Sequence, residues 1–438
     1  MLNSKNFVLD ETKARLRRAS LQLKGFRLEE DETTPPEMLS YLQSSSKPRR
    51  RFPHSCRECF NDCIAKLVSL ADVQEKMTFG QALLRQHKEG KLKKITETTD
   101  SETFLATTGS KQQQQYATSD TVVQLYYIDT HSASRVYANL FTCKRLSDLH
   151  AGIHNKSFGF RLIRRILFIE DKMPDNFVKA YDEFATTRAR SFHPHPDMRS
   201  KIQRYMLMES DYCGESILHA RIKPSQAISI IGQVACTLAV AERELQFEHR
   251  NLHEENIKVQ ASTSKNQHFL LDDRICCVKG AGLKVTLFDD NFSRITYNDE
   301  VVMRMKNYNC LYREKTAIYL TMERIIKGQW HVFHPETNAL WLAYLCGHLS
   351  DYLTVPNPSG DWQRKLEVLA LMQRDLQRFR SADEFVWHYM NKLGHIHAGH
   401  DYLPHTWGGR ENPSPLYNGL LHLLHWKERK HKEEPAMH

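Results

Sequence analysis

The segment FEHRNLHEEN, Phe247 to Asn256, holds His249, Arg250 and Asn256 at the spacing of a phosphoryl-transfer loop, H-R-D-x-x-x-x-N. In such a loop the Asp accepts the proton of the attacking hydroxyl and the Asn holds a magnesium ion. Here the base position is Asn251. A carboxamide accepts a hydrogen bond and orients a hydroxyl, but takes up no proton at neutral pH. General-base help is typically about 10²–10⁴-fold, so its loss weakens transfer without abolishing it. Downstream, VTLFDDNF sets Asp289, Asp290 and Asn291 after an apolar run. Asp289 and Asn256 offer the hard oxygen ligands that magnesium takes. Alone, Asp289 also reads as a turn residue closing a buried strand.

Other groupings fit plainer roles. HSCRECFNDC brings His54, Cys56, Cys59 and Cys63 close together, enough in number for zinc. A closed zinc site usually draws a second spaced pair from elsewhere, so the segment reads as thiols on an amphipathic helix and zinc is not expected. HIHAGHDYLPH, with His395, His397, His400 and His405, reads as a loop after the last domain helix. The basic run KPRRR, Lys47 to Arg51, suits a solvated linker or a nuclear-localisation contact.

These groups must be carried by a chain of 438 residues, 41% hydrophobic and 26% charged, with a formal charge of +9. That is ordinary globular composition, long enough for one large domain or two lobes. No run of about 18 uninterrupted apolar residues exists, so no membrane span is expected. MLNSKNFVLDETKARLRR carries charges where a secretory leader needs an apolar core. Ten cysteines without a leader suggest reduced thiols, hence an intracellular protein, nuclear or cytoplasmic, with the basic run favouring the nucleus.

Residues 1–55 read as a mostly disordered basic and polar tail. A strand-rich section follows over about 92–130, with TVVQLYYI, Thr121 to Ile128, as its clearest strand. RVYANLFTCKRLSDL has helical spacing. PSQAISIIGQVACTLAVAERELQ is the best helix, opened by Pro224 and Ser225, with Ile228, Ile231, Val234, Ala235 and Leu238 on one stripe. NIKV and KVTLFDD read as strands separated by a polar segment, and helices dominate after Thr316. No internal repeat is present. Strands first and helices after give an α+β class with two lobes: 56–206, then 207–394, then a tail over 395–438.

Several segments in this order resemble the haspin-type protein kinases. LAVAERELQFEHRNLHEENIKV is similar to that family's helix, catalytic loop and following strand. VTLFDDNFSR resembles its metal-binding turn, where the family has Asp-Tyr-Thr. QWHVFHPETNALWLAYL resembles its W-x-x-x-H-P…N-x-L-W-L segment. MPDNFVKAYDEF and YMLMESDYCGESI look like strands leading into the hinge between lobes. The resemblance covers roughly residues 90–390 and implies a bilobal kinase-like fold, ATP and magnesium as ligands, and Glu209, Asp211 and Cys213 at the hinge facing the nucleotide.

The family's chemistry transfers poorly, position by position. KITETTDSETF stands where the family has K-I-G-E-G-x-F-G, so the three glycines become Thr96, Thr98 and Ser101. Side chains there keep backbone N–H groups from close approach to phosphates. The strand lysine falls at Leu125, beside Gln124, and its helix glutamate partner near Asn139; Lys144 could substitute only from an unusual position and is not expected to. The D-I-Y whose Asp anchors the loop appears as Ala317-Ile318-Tyr319. An acidic segment that binds histone tails becomes VVMRMKNYNCLYREK, so association with chromatin rests on the resemblance alone. The resemblance thus implies a pseudokinase acting by protein binding, with ATP and magnesium use in doubt. The alternative is a weak or atypical ATP- and magnesium-dependent Ser/Thr kinase on Asn256 and Asp289.

Overall fold

The computed structural model describes residues 57–83, 91–107, 120–187, 191–199, 202–288, 292–303, 316–390 and 396–398. These fall into two compact units. One runs to Ser147 and resumes over Arg161–Cys213; the other takes Asp148–Phe160 and the chain from Gly214. The boundary expected after residue 206 therefore lies at the end of a strand, and a short excursion between units interrupts the first.

The first unit is a six-stranded sheet in the order β1-β5-β6-β4-β3-β2. Its strands are β1 (Val73–Met77), β2 (Lys91–Glu97), β3 (Ser101–Thr107), β4 (Thr121–Tyr127), β5 (Ile163–Asp171) and β6 (Gln203–Asp211). Helices α1 (Arg57–Leu70), α2 (Phe79–Ala82), α3 (Ala133–Asp148) and α4 (Asp175–Ala185) accompany them. Strand β4 matches its β-branched and aromatic sequence. MPDNFVKAYDEF is not a strand: it forms α4, opened by Pro174 and Asp175. Phe177, Ala180, Tyr181 and Phe184 recur at helical spacing and are buried, a period that overrides the aromatic bias of the segment.

Strand periodicity assigns the two faces of β4. Val123, Leu125 and Tyr127 point into one core with Phe79, Phe104, Phe177 and Tyr205. Phe104 and Phe177 meet edge to face with ring centroids 4.8 Å apart. Gln124 and Tyr126 lie on the opposite face and bond to the α3 side, through Arg161 and Asn139 respectively.

The second unit is organised on α5 (Pro224–Leu245), which is buried along nearly all its length. Lys223 is its N-cap and Pro224 its first helical residue, where a missing N–H costs nothing. Gln246 ends it in left-handed backbone, φ 44°. The helix is long and apolar enough to cross a membrane, but most of it is buried in its own unit. Each fully buried Ile or Leu there contributes about 1.5–3 kcal/mol. Around it stand α6 (Thr316–Ile326), α7 (Glu336–Leu353), α8 (Gly360–Leu376) and α9 (Ala382–Phe385).

NIKV and KVTLFDD form β8 (Ile257–Ala261) and β11 (Leu283–Leu287), paired in a small sheet with β7 (Glu215–Ser216). The polar segment between them is itself a hairpin, β9 (Asn266–Leu271) and β10 (Arg274–Lys279). Asp272 and Asp273 turn it with φ of 47° and 63°, the conformation that two-residue hairpins prefer. The expected loop near His395 also contributes a strand: β14 (Ile396–Ala398) pairs with β10, His397 opposite Cys277. A further pair, β12 (Arg294–Tyr297) and β13 (Glu300–Met303), follows. Gly214, at φ +89°, admits no side chain, since a Cβ would meet the Val259 carbonyl oxygen at 2.1 Å.

Candidate functional site

The catalytic-loop segment sits between the end of α5 and β8, and nearly all of it is buried. Glu248 is its electrostatic centre. It accepts from Arg250 Nε at 3.0 Å and Nη2 at 2.9 Å, from the His334 backbone N–H at 2.9 Å and from Thr337 Oγ1 at 3.0 Å. Arg250 is 1% exposed and in left-handed backbone, φ 59°; its Nη2 also donates to the Trp330 carbonyl at 2.9 Å. Arg294 lies 4.0 Å from Glu248 and donates to the carbonyls of Gln246 and His331. A buried carboxylate is tolerated only with such pairing.

His249 donates from Nε2 to the Phe288 carbonyl at 3.0 Å, while its buried Nδ1 has no hydrogen-bond partner. Protonating Nδ1 would bury a charge without an acceptor, and burial holds the imidazole down to about 4. His249 is thus a neutral strut. Its backbone N–H donates to Asn338 Oδ1 at 3.0 Å, and Asn338 Nδ2 donates to the Phe247 carbonyl at 2.8 Å and to Glu242 at 2.9 Å. The loop anchor is therefore Asn338 on α7. Ala317, expected to mark a lost anchor, lies elsewhere on the site: two residues on, Tyr319 donates its hydroxyl to Asn251 Oδ1. Anchoring needs an acceptor for backbone N–H, which a carboxamide supplies as well as a carboxylate.

Asn251 is 2% exposed, and its side-chain oxygen is engaged by Tyr319. Asn256 Nδ2 donates to the Asn251 carbonyl at 2.9 Å, which directs its amide nitrogen inward. Asp289, Asp290 and Asn291, with residues 304–315, lie outside the described residues.

In the sheet unit, the turn joining β2 to β3 is closed on itself. Thr98 N donates to the Ser101 carbonyl at 2.8 Å, and Thr98 Oγ1 accepts from Asp100 N at 3.3 Å and Ser101 N at 3.2 Å. Thr96 pairs with Thr103 in the ladder. Arg135 on α3 grips Asp100, and the Thr98 carbonyl accepts from His193 Nε2 at 2.7 Å. Below the turn, buried Lys94 bonds Glu97 at 2.7 Å and Glu102 at 2.6 Å, with its ammonium 4.2 Å from the Tyr181 ring centroid. Burial pushes Glu97 up, but Lys94, the Phe192 N–H and Ser191 outweigh it and hold the carboxyl below its usual range.

Leu125 is in the apolar core, so a lysine at that position would point away from α3. The residues of β4 that look toward α3 are its neighbours. Tyr126 donates its hydroxyl to Asn139 Oδ1 at 3.0 Å, joining strand and helix by a neutral bond. Gln124 accepts from Arg161 at 3.0 Å and donates to Ser101 Oγ at 2.9 Å. Lys144 is no substitute for the strand lysine: it bonds the Leu70 carbonyl and Asp72, each at 3.2 Å. At the hinge, Glu209 accepts from Arg165 at 2.6 Å, Asp211 pairs with Arg164, and Cys213 is buried with its sulfur 3.4 Å from the Asp211 carbonyl.

A family model, "Haspin like kinase domain", matches residues 62–386. The chain belongs to the haspin-like kinase family. It is 29% identical to the serine/threonine-protein kinase haspin of Mus musculus over 218 residues, 48% of this chain and 29% of that protein. It is 26% identical to that of Bos taurus over 258 residues, 56% of this chain and 32% of the relative. With the haspin homolog of Drosophila melanogaster the identity is 25% over 223 residues, 48% of this chain and 38% of the other. The chain therefore spans less than half the length of each of these relatives, all named as Ser/Thr kinases.

Kinases of this family imply ATP and magnesium, and the residues fit the two unequally. Asn256 suits magnesium: with Nδ2 committed to the Asn251 carbonyl, its amide oxygen is the hard ligand that remains. The haspin glycine-loop position fits phosphates poorly, because the N–H groups of Thr98, Asp100 and Ser101 are consumed within the turn. Among the described residues, no group of three or more His, Cys, Asp or Glu could hold a metal. His54 and Cys56 lie outside them, while Cys59 is exposed and Cys63 half-buried.

Asn338, Glu248 and Arg294 were not singled out by the sequence. A signal existed for the first: Trp330, His334 and Asn338 all fall in the W-x-x-x-H-P…N segment that marks the family, and all three bond to the loop.

Proposed function

We propose that this chain is a haspin-like pseudokinase that acts by binding another protein and transfers phosphoryl groups poorly or not at all. The observation that carries this reading is Asn251. The group at the base position takes up no proton at neutral pH, and its only side-chain acceptor is engaged by the Tyr319 hydroxyl. The neutral Tyr126–Asn139 bond, in place of an ion pair, supports it. The test is phosphate incorporation by the purified chain with magnesium and labelled ATP, into itself and into a mixture of basic proteins. Incorporation at background is expected. Stoichiometric phosphorylation that disappears in Asp289→Ala would overturn the proposal.

The second reading, a weak Ser/Thr kinase, is favoured by Asn256, whose free amide oxygen suits magnesium. It requires transfer that depends on both Asn256 and Asp289.

A further inference from the structure

We infer that the groove beside the end of α5 is the docking site of this chain's own C-terminal segment, residues 399–405, entering as a continuation of β14. The inference concerns a contact within the chain and stands whether or not phosphate is transferred.

The groove has a volume of about 340 Å³. It is lined by Arg243 of α5, Asp272 and Arg274 of the β9–β10 hairpin, Asp383 and Glu384 of α9, and Trp387. That volume falls at the lower end of the range of ligand clefts, and the floor is preformed. Arg243 donates from Nε and Nη2 to Asp383, each at 2.8 Å, and its Nη1 pairs with Asp272. Trp387 Nε1 donates to Asp383 Oδ1 at 3.0 Å. The N–H groups of Ala382 and Asp383 donate to buried Glu242 at 3.0 and 2.9 Å. Arg243 and Asp383 are thus committed to each other. Arg274 is not: its guanidinium lies 5.5 Å from the Trp387 ring centroid and has no hydrogen bond or ion pair among the described residues.

Strand register names the occupant. β14 runs antiparallel to β10, with Ile396 opposite Val278, His397 opposite Cys277 and Ala398 opposite Cys276. Each residue forward on β14 is one residue back on β10, so the same register would bring residue 400 opposite Arg274, where β10 begins. Two residues at about 3.4 Å each span that gap. Directly opposed residues share a face of the sheet, and the face of Arg274 is the one on which Cys276 and Val278 are buried. His400 would therefore arrive on the groove side. Asp401 follows where β10 has ended and pairing no longer sets its direction. Gly399-His400-Asp401-Tyr402 would bring an imidazole for the Glu384 carboxylate and a carboxylate for the Arg274 guanidinium, the cation left unanswered in the groove. A tether this short gives an effective concentration in the millimolar range, so individually weak contacts suffice.

The test is photo-crosslinking in the full chain carrying Glu384→benzoylphenylalanine, with the joined peptides located by mass spectrometry. Crosslinks to residues 399–405 at monomer mass are expected. Arg274→Glu should lower their yield roughly 10-fold, the worth of a charged hydrogen bond, and Asp401→Arg in the same chain should restore part of it. Crosslinks elsewhere in the chain, crosslinks only at dimer mass, no crosslink, or a yield unchanged by Arg274→Glu each overturn the inference. If the labelled chain does not fold, hydrogen exchange of the unlabelled full chain decides. The amides of residues 400–402 should be protected at least about 10-fold and lose that protection in Arg274→Glu. Wild-type amides exchanging there as in an unstructured chain overturn the inference equally.

Discussion

In the catalytic loop the charges are kept: Glu248, Arg250 and Arg294 form a buried cluster that fixes the backbone from Gln246 to Trp330. Between β4 and α3, Tyr126 meets Asn139 through a neutral bond where the family resemblance places an ion pair. Both regions are buried, so the difference is one of purpose. The loop charges hold the chain to itself, and losing one would strand the others. The strand and helix charges of a kinase serve a ligand, and losing both together strands nothing. Removing one partner of a buried pair leaves an uncompensated charge, whereas replacing both by neutral groups does not.

The largest expected effect would break this comparison if absent. Glu248→Ala leaves Arg250 and Arg294 without their carboxylate and should cost about 3–5 kcal/mol, read from urea denaturation. A loss under about 1 kcal/mol would mean the cluster does not support the loop. The sheet unit holds an internal ion cluster of its own at Lys94. Lys94→Met should therefore behave like the loop rather than like its neighbours on β4, losing about 3 kcal/mol as Glu97 and Glu102 are left buried. Similar stability for Lys94→Met and wild type would show that the distinction lies between the units and not between internal and ligand-serving charges.

His249 gives an effect of pH. Its folded pKa, about 4, lies below the ordinary 6.5. The unfolded chain therefore binds the proton first as pH falls. The contribution is complete above about 6.5 and is lost progressively down to about 4, by roughly 3 kcal/mol in all. Unfolding free energies measured from pH 7 to 4 should show this limb, and His249→Gln should flatten it. A wild-type curve level over that window removes the neutral-strut role.

Tyr126→Phe should cost about 1 kcal/mol, the scale of one neutral hydrogen bond, and so set the contrast with Glu248→Ala. The smallest effect expected is on turnover. Asn251→Asp restores the base but not the phosphate cradle, so transfer should stay at background in the incorporation assay. Appearance of transfer in this single variant would place the defect in the base alone.

Much of the fold was legible because it rests on local pattern. The α5 stripe, the β-branched run of β4 and the helices after Thr316 each declare their period within a dozen residues or so. Where the reading failed, a second local signal competed. MPDNFVKAYDEF is rich in residues that suit strands, but its apolar spacing is that of a helix. The hairpin of β9 and β10 was hidden because its turn is Asp-Asp rather than a glycine pair. The site was legible as a set of motif positions, not as a set of contacts.

By itself, the sequence determined the family, through several spaced motifs in one order, and the absence of an acid at the base position. It also determined that the glycine-loop turn carries side chains. Tertiary structure alone decided what replaces the missing groups. A one-residue step along a strand turns a side chain to the other face, so only the sheet shows that Leu125 is core while Gln124 and Tyr126 face α3. Asn338 reaches the loop, and Arg161 reaches Gln124, across gaps in sequence that no local pattern spans. Residue types are written in the chain, but partners across such distances are chosen by packing.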